Sequence, residues 1–142
     1  MKLSVESYRF LKYCMVGVAN TLLTLLVIYV CKSFLGIDPY LSNALGYAAG
    51  VINSFIWNRA WVFRSHGAAH WEIIRFLIGF GICYALQFAF VWSVSSTPFG
   101  EKEFYLGFMT LSGYGIATLG GNVLYTACNF LYNRIVTFRS AR

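Results

Sequence analysis

Four stretches of this chain contain no Asp, Glu, Lys or Arg: Tyr13–Cys31 (19 residues), Pro39–Asn58 (20), Phe76–Gly100 (25) and Phe104–Asn133 (30). A helix needs about 20 apolar residues to cross the hydrocarbon of a bilayer. These four runs reach that length and no fifth does. Of the 142 residues, 58% are apolar and 11% charged, whereas a soluble domain carries about a quarter charged residues. A soluble core of this size cannot hide so much apolar surface, because a compact chain in water still needs a polar skin. The expected class is an all-α membrane protein with four transmembrane helices in one domain spanning 1–142. The last two runs exceed one crossing, so they are expected to include interfacial turns such as Ser95–Gly100 and Phe104–Gly107, or tilted helices. The first run is longer than the roughly 7–15-residue core of a secretory signal and ends in Cys31-Lys32-Ser33. A retained helix is expected there.

The net charge of +6 raises the possibility of nucleic acid, but its placement speaks for topology. Lys2, Arg9 and Lys12 are expected to precede helix 1; Arg59, Arg64 and Arg75 lie between helices 2 and 3; Arg134, Arg139 and Arg142 follow helix 4. Lys32 and Lys102 fall on the other side, the latter flanked by Glu101 and Glu103. The positive-inside bias then puts both termini in the cytoplasm. Cys14, Cys31, Cys83 and Cys128 lack metal-ligand spacing and read as small apolar fillers. His66 and His70 read as solvated loop residues, so no metal and no cofactor are expected.

The chain also repeats itself. Ser54–Ser65 aligns without gaps to Asn129–Ser140, with Phe55/Phe130, Asn58/Asn133, Arg59/Arg134, Phe63/Phe138, Arg64/Arg139 and Ser65/Ser140 identical. Arg9-Phe10-Leu11 matches Arg75-Phe76-Leu77. Two repeats are expected, at about 9–65 and about 75–140, each a basic entry, a helix, an outer turn, a second helix and an aromatic-basic exit. A two-span unit repeated in tandem keeps its orientation, so the repeats are parallel and both Asn-Arg motifs face one compartment.

Polar groups inside the spans suggest where chemistry lies. Asn43, Gly46, Gly50, Asn53 and Trp57 share one face of helix 2; Gly115, Thr118, Asn122, Thr126, Asn129 and Asn133 form a stripe on helix 4. Small and amide residues also serve plain helix packing in lipid. Asn20, Asn53, Gln87, Asn122 and Asn129 are the candidates for a neutral polar path. The guanidinium fork suits phosphate oxygens, so Arg59 and Arg134, with Asn58 and Asn133 beside them and Arg64 and Arg139 following, are candidates to bind a lipid phosphate. The competing reading is interfacial anchoring by snorkelling arginines and aromatics. No acid is expected at mid-span, no phosphate-binding loop is present, and no nucleophile has a base partner, which argues against a proton-coupled carrier, an ATP-driven pump and an enzyme.

From Arg9-Phe10-Leu11 with Gly17 and Asn20, through Asn43-Ala-Leu-Gly46, to the two Asn-Arg…Phe-Arg exits, the chain resembles the GtrA-like family of small bacterial membrane proteins. Thr118-Leu119-Gly120-Gly121 stands in the second half where the first has Asn43–Gly46. The resemblance implies a multi-pass protein of the bacterial cytoplasmic membrane. It implies movement of a polyprenyl-phosphate-linked sugar from the inner to the outer leaflet, for modification of cell-surface polysaccharide. The alternative is a non-transporting anchor or scaffold for a polyprenyl-phosphate glycosyltransferase. Four helices make a thin bundle, so a homo-oligomer is expected.

Overall fold

The computed structural model describes residues 5–105, 107 and 110–139; Lys2, Ser140 and Arg142 lie outside them. Four helices account for most of it: α1 (Val5–Tyr29), α2 (Pro39–Trp57), α3 (Ala69–Ser95) and α4 (Gly113–Tyr132). α2 and α4, of 19 and 20 residues, carry no charged side chain, and at about 1.5 Å per residue each matches the roughly 30 Å hydrocarbon thickness. Leu22, Leu25 and Leu26 on α1, Leu77 and Phe88 on α3, and Leu119 and Val123 on α4 are all exposed. Such apolar faces are stable only where lipid covers them, so the chain is an all-helical membrane protein.

The chain divides into two compact units, residues 1–68 with 138–142, and residues 69–137. Each holds one antiparallel helix pair. In the first, α1 begins by Val5, so Arg9 and Lys12 lie inside the helix and not ahead of it. The helix runs on into the charged region because Arg9 and Glu6, three residues apart, pair at 3.6 Å on its surface. α1 ends in a π-helical turn (Val30–Phe34), closed by bonds from Leu35 N–H to Val30 O and from Ile37 N–H to Cys31 O, with Gly36 between them at φ 63°. Asp38 then starts α2, its carboxylate accepting from Tyr40 and Leu41 N–H, with Pro39 in the first helical position, where its missing N–H costs nothing.

In the second unit, α3 stops at Ser95 and the chain turns through Thr97–Gly100, as expected. The next segment, expected to hold an interfacial turn such as Phe104–Gly107, also carries two strands. Two short strands, β1 (Glu103–Tyr105) and β2 (Thr110–Ser112), pair antiparallel, with Phe104 opposite Leu111. The uncharged run beginning at Phe104 therefore holds strand as well as helix. Absence of charge shows membrane compatibility but does not separate strand from helix, and only α4 has crossing length. The Ser112 hydroxyl caps α4 by accepting from Gly115 N–H.

Both pairs rest on close backbone approach. A Cβ on Gly46 would lie 2.5 Å from Ile28 Cγ1 and 2.9 Å from the Thr24 carbonyl oxygen; one on Gly121 would lie 2.6 Å from Val91 Cγ2. Counting back from the Asn-Arg motifs, Gly46 and Gly121 occupy the same position. Small residues are what let helices meet in lipid, where apolar burial gives no preference for helix over tail. Overpacking such a contact costs ~1–3 kcal/mol. Gly46→Leu is therefore expected to lower the thermal midpoint of the detergent-solubilised protein. Gly17→Ala, where an added Cβ meets nothing within 4 Å, should leave it unchanged or slightly raised. Equal melting of the two variants would refute the close approach.

Candidate functional site

Buried side chains gather at the end of each helix pair that carries the Asn-Arg motif, here called the basic end. In the first unit α2 passes into a π-helical turn, Asn58–Val62. π turns are rare and recur at functional positions. Phe63 N–H bonds Asn58 O and Ser65 N–H bonds Arg59 O, the pattern seen after α1, but Arg64 (φ 51°) now holds the left-handed position that Gly36 takes there. A side chain in that conformation costs about 1–2 kcal/mol.

Asn58 is 1% exposed. Its amide N–H groups donate to the Ser54 carbonyl (2.8 Å) and hydroxyl (3.1 Å), while its Oδ1 is buried with no hydrogen-bond partner. Arg59 is half-buried and donates to the Gly67 carbonyl at 2.8 Å, clasping the loop that leaves α2. Phe63 and Phe138 stack with ring centroids 5.1 Å apart, and Phe55 leans on Phe138 at 6.0 Å, closing an aromatic floor. Beside it opens a pocket of about 370 Å³ lined by Tyr8, Arg9, Lys12, Val62, Phe63 and Arg64. Lys12 is 7% exposed, its ammonium 4.6 Å from the centre of the Tyr8 ring and 5.0 Å from that of Trp61.

The second unit ends in the same way, with a π-helical turn over Asn133–Thr137. Asn133 is fully buried and donates to Asn129 Oδ1 at 3.3 Å; Asn129, also buried, donates to the Tyr125 hydroxyl at 3.3 Å. Again the motif asparagine keeps a buried Oδ1 without a partner, and so does Thr137 Oγ1. Arg134 is half-buried, and Arg139, in the first unit, is exposed. Glu72, in the first turn of α3, is 2% exposed. Sequence reasoning passed over this buried carboxylate, although Glu72-x-x-Arg75-Phe76-Leu77 extends the match to Glu6-x-x-Arg9-Phe10-Leu11 by one more identity. It also passed over Lys12. The signal was present: Val5, Tyr8, Arg9 and Lys12 fall on one helical face once the helix is started early enough.

Deeper in each unit, the polar-path candidates are paired. Asn53 Nδ2 donates to Asn20 Oδ1 at 2.6 Å, bridging α1 and α2; Gln87 Nε2 donates to Asn122 Oδ1 at 2.6 Å, bridging α3 and α4. Asn129 stands apart, inside the buried chain that supports Asn133. The threonine hydroxyls at 21, 118 and 126 bond their own helix four residues back. The second bridge borders a shallow cavity of about 150 Å³, where Tyr84, Tyr114 and Phe88 supply ring faces and Gln87 and Thr118 supply polar atoms.

Comparison with known proteins agrees with this architecture. The chain is 30% identical over 132 residues to the uncharacterized membrane protein YngA of Bacillus subtilis (strain 168), covering 89% of this chain and 77% of that protein. It is 24% identical over 133 residues to the bactoprenol-linked glucose translocase of Shigella phage SfV and to the prophage bactoprenol-linked glucose translocase homolog of Escherichia coli (strain K12). Each of those alignments covers 94% of this chain and 97% of the relative. Residues 12–138, from the buried lysine of α1 to the stacked phenylalanine after α4, match the family described as GtrA/DPMS, transmembrane domain. The chain is a membrane protein belonging to that GtrA/DPMS transmembrane domain family.

Proposed function

We propose that this protein moves a polyprenyl-phosphate-linked sugar from the cytoplasmic to the outer leaflet of the bacterial cytoplasmic membrane, and that it catalyses no bond-making of its own. Support comes first from relatives of nearly the same length that are named as translocases of bactoprenol-linked glucose. The observation that carries the reading is the character of the interior. Each helix pair is bridged at depth by neutral amides, and the described acids of the helices, Glu6 and Glu72, stay in first turns at the basic end. A sugar needs hydrogen-bonding groups that exchange easily. An ionised group at that depth would instead hold it or couple it to protons. Aromatic faces beside Gln87 suit the C–H surface of a pyranose.

In this reading both termini lie in the cytoplasm, as the lysine and arginine distribution favours. The arginines at 59, 64, 134 and 139 draw the phosphate to the inner surface, and Asn20, Asn53, Gln87 and Asn122 exchange their mutual hydrogen bonds for sugar hydroxyls. Transport runs downhill, from synthesis inside to consumption outside. A homo-oligomer supplies the width that four helices lack.

Purified protein in sealed vesicles is expected to equilibrate a labelled polyprenyl-phosphate glucose between leaflets faster than empty vesicles do. Losing one amide removes a hydrogen bond of about 1–2 kcal/mol, so Asn53→Leu and Gln87→Leu should each slow the exchange about fivefold to thirtyfold. Folded protein with no acceleration over lipid alone refutes translocation.

The basic ends also suit a second reading, an anchor for a membrane glycosyltransferase. It makes the opposite prediction for cells. Under translocation, the two leucine variants reduce surface glucosylation at unchanged expression; under anchoring they leave it intact and the enzyme still co-purifies.

A further inference from the structure

The pocket at the basic end of the first unit has features that helix packing does not require. Three cationic side chains, Arg9, Lys12 and Arg64, line it; among the described residues no carboxylate is in its lining, and Glu6 is engaged with Arg9. Among the described residues Lys12 makes no ion pair; the residue is more than nine-tenths buried, and its ammonium lies over the faces of Tyr8 and Trp61. A buried ammonium without a counter-ion is costly, and two ring faces offset only part of that cost. Arg64 adds a second cost, because its backbone holds the left-handed conformation that glycine fills after α1. Observed strain of this kind is a pointer to function. Both costs fall on cations that open onto one cavity.

The second unit lacks the arrangement. Matching Arg75 to Arg9 puts Ile74 where Tyr8 stands and Ile78 where Lys12 stands, and both isoleucines are exposed apolar residues. Arg139, the counterpart of Arg64 in the sequence repeat, belongs to the first unit and is not among the residues of the pocket. The halves share their Asn-Arg motifs but not this pocket.

We propose that the Arg9–Lys12–Arg64 pocket is the seat of one lipid-borne phosphate, with Lys12 as its buried point charge, Arg64 as its closing donor, and the Tyr8 and Trp61 rings as walls. The phosphate supplies the counter-charge that Lys12 lacks. This assignment deepens the translocation reading by placing the headgroup in the first unit alone, and it rests on that reading only for which lipid occupies the seat.

Trp61 borders Lys12, so occupancy is readable as a change in its fluorescence, with Trp61→Phe subtracting the other tryptophans. The probes are a short polyprenyl phosphate, the same polyprenol without phosphate, and phosphatidylglycerol, each titrated into protein in uncharged nanodiscs. The expected result is saturable binding of a phosphate-bearing lipid and none of the polyprenol. Tighter binding of polyprenyl phosphate identifies the carrier as occupant, and tighter binding of phosphatidylglycerol identifies bulk lipid. Lys12→Met should weaken that binding at least tenfold, and Lys32→Gln, an equal loss of charge outside the pocket, should not. Arg64→Gly relieves the backbone strain, so it should melt no lower than wild type yet bind at least threefold more weakly. Unchanged affinity in both Lys12→Met and Arg64→Gly, or equal binding of the polyprenol, overturns the assignment. Binding and transport fail separately: a protein that exchanges sugar lipid without needing Lys12 loses the seat and keeps translocation. One that binds through Lys12 but exchanges nothing loses translocation and keeps the seat.

Discussion

In lipid, two apolar helices gain nothing from hiding their side chains from water, so the force that assembles soluble cores is absent between them. Whatever holds α1 to α2 and α3 to α4 must come from dispersion at close range and from polar atoms that have no other partner. Both devices are present and adjacent. Gly46 brings α2 against the Thr24 carbonyl, Gly50 leaves space for the Thr24 side chain, and the Asn20–Asn53 bond locks the register just below them. Gly121 brings α4 against Val91, Gly79 makes room for the Tyr132 ring, and Gln87–Asn122 does the locking. Unmaking such an amide pair in hydrocarbon exposes two polar groups. A polar substrate is the partner best able to replace either one.

The helical architecture was legible because its cause is written in one dimension. Charge-free runs of crossing length are counted directly; α2 fills its run almost residue for residue, and α4 fills the later part of its own. The misreadings have physical reasons as well. Charge was taken to end a helix, yet α1 carries Glu6, Arg9 and Lys12 on its first turns, where an interface solvates them. The charge-free run from Phe104 hid paired strands because hydropathy does not distinguish a strand from a helix.

The site was legible in part. The amide positions were visible, and their pairing was not, because a contact between Gln87 and Asn122 depends on helix rotation and crossing, which one stripe on one helix does not determine. The Asn-Arg motifs stood out by repetition. The structure divides each motif in two: the asparagine turns inward and fixes the helix end, while the arginine stays half-buried at the edge. Repetition therefore marked an invariant of construction at least as much as one of chemistry.

That distinction separates what the two units share from what each keeps to itself. The close-approach glycine, the π turn and the inward asparagine with its unpartnered oxygen recur in both, and all of them shape or terminate helices. The amide bridges do not recur in register. Asn53 lies five residues before its motif asparagine and Asn122 eleven before, so the two bridges stand about 9 Å apart in depth when each is measured from its own basic end. The ring-flanked ammonium of Lys12 has an isoleucine as its counterpart. Steric needs bind both halves alike, because either would come apart without them. Polar groups that merely satisfied one another would face no pressure to differ in depth, whereas groups that meet different parts of one long amphiphile would. In the proposed translocation, the asymmetric residues are where an anionic headgroup and a neutral sugar would be told apart, on a scaffold that is otherwise built twice.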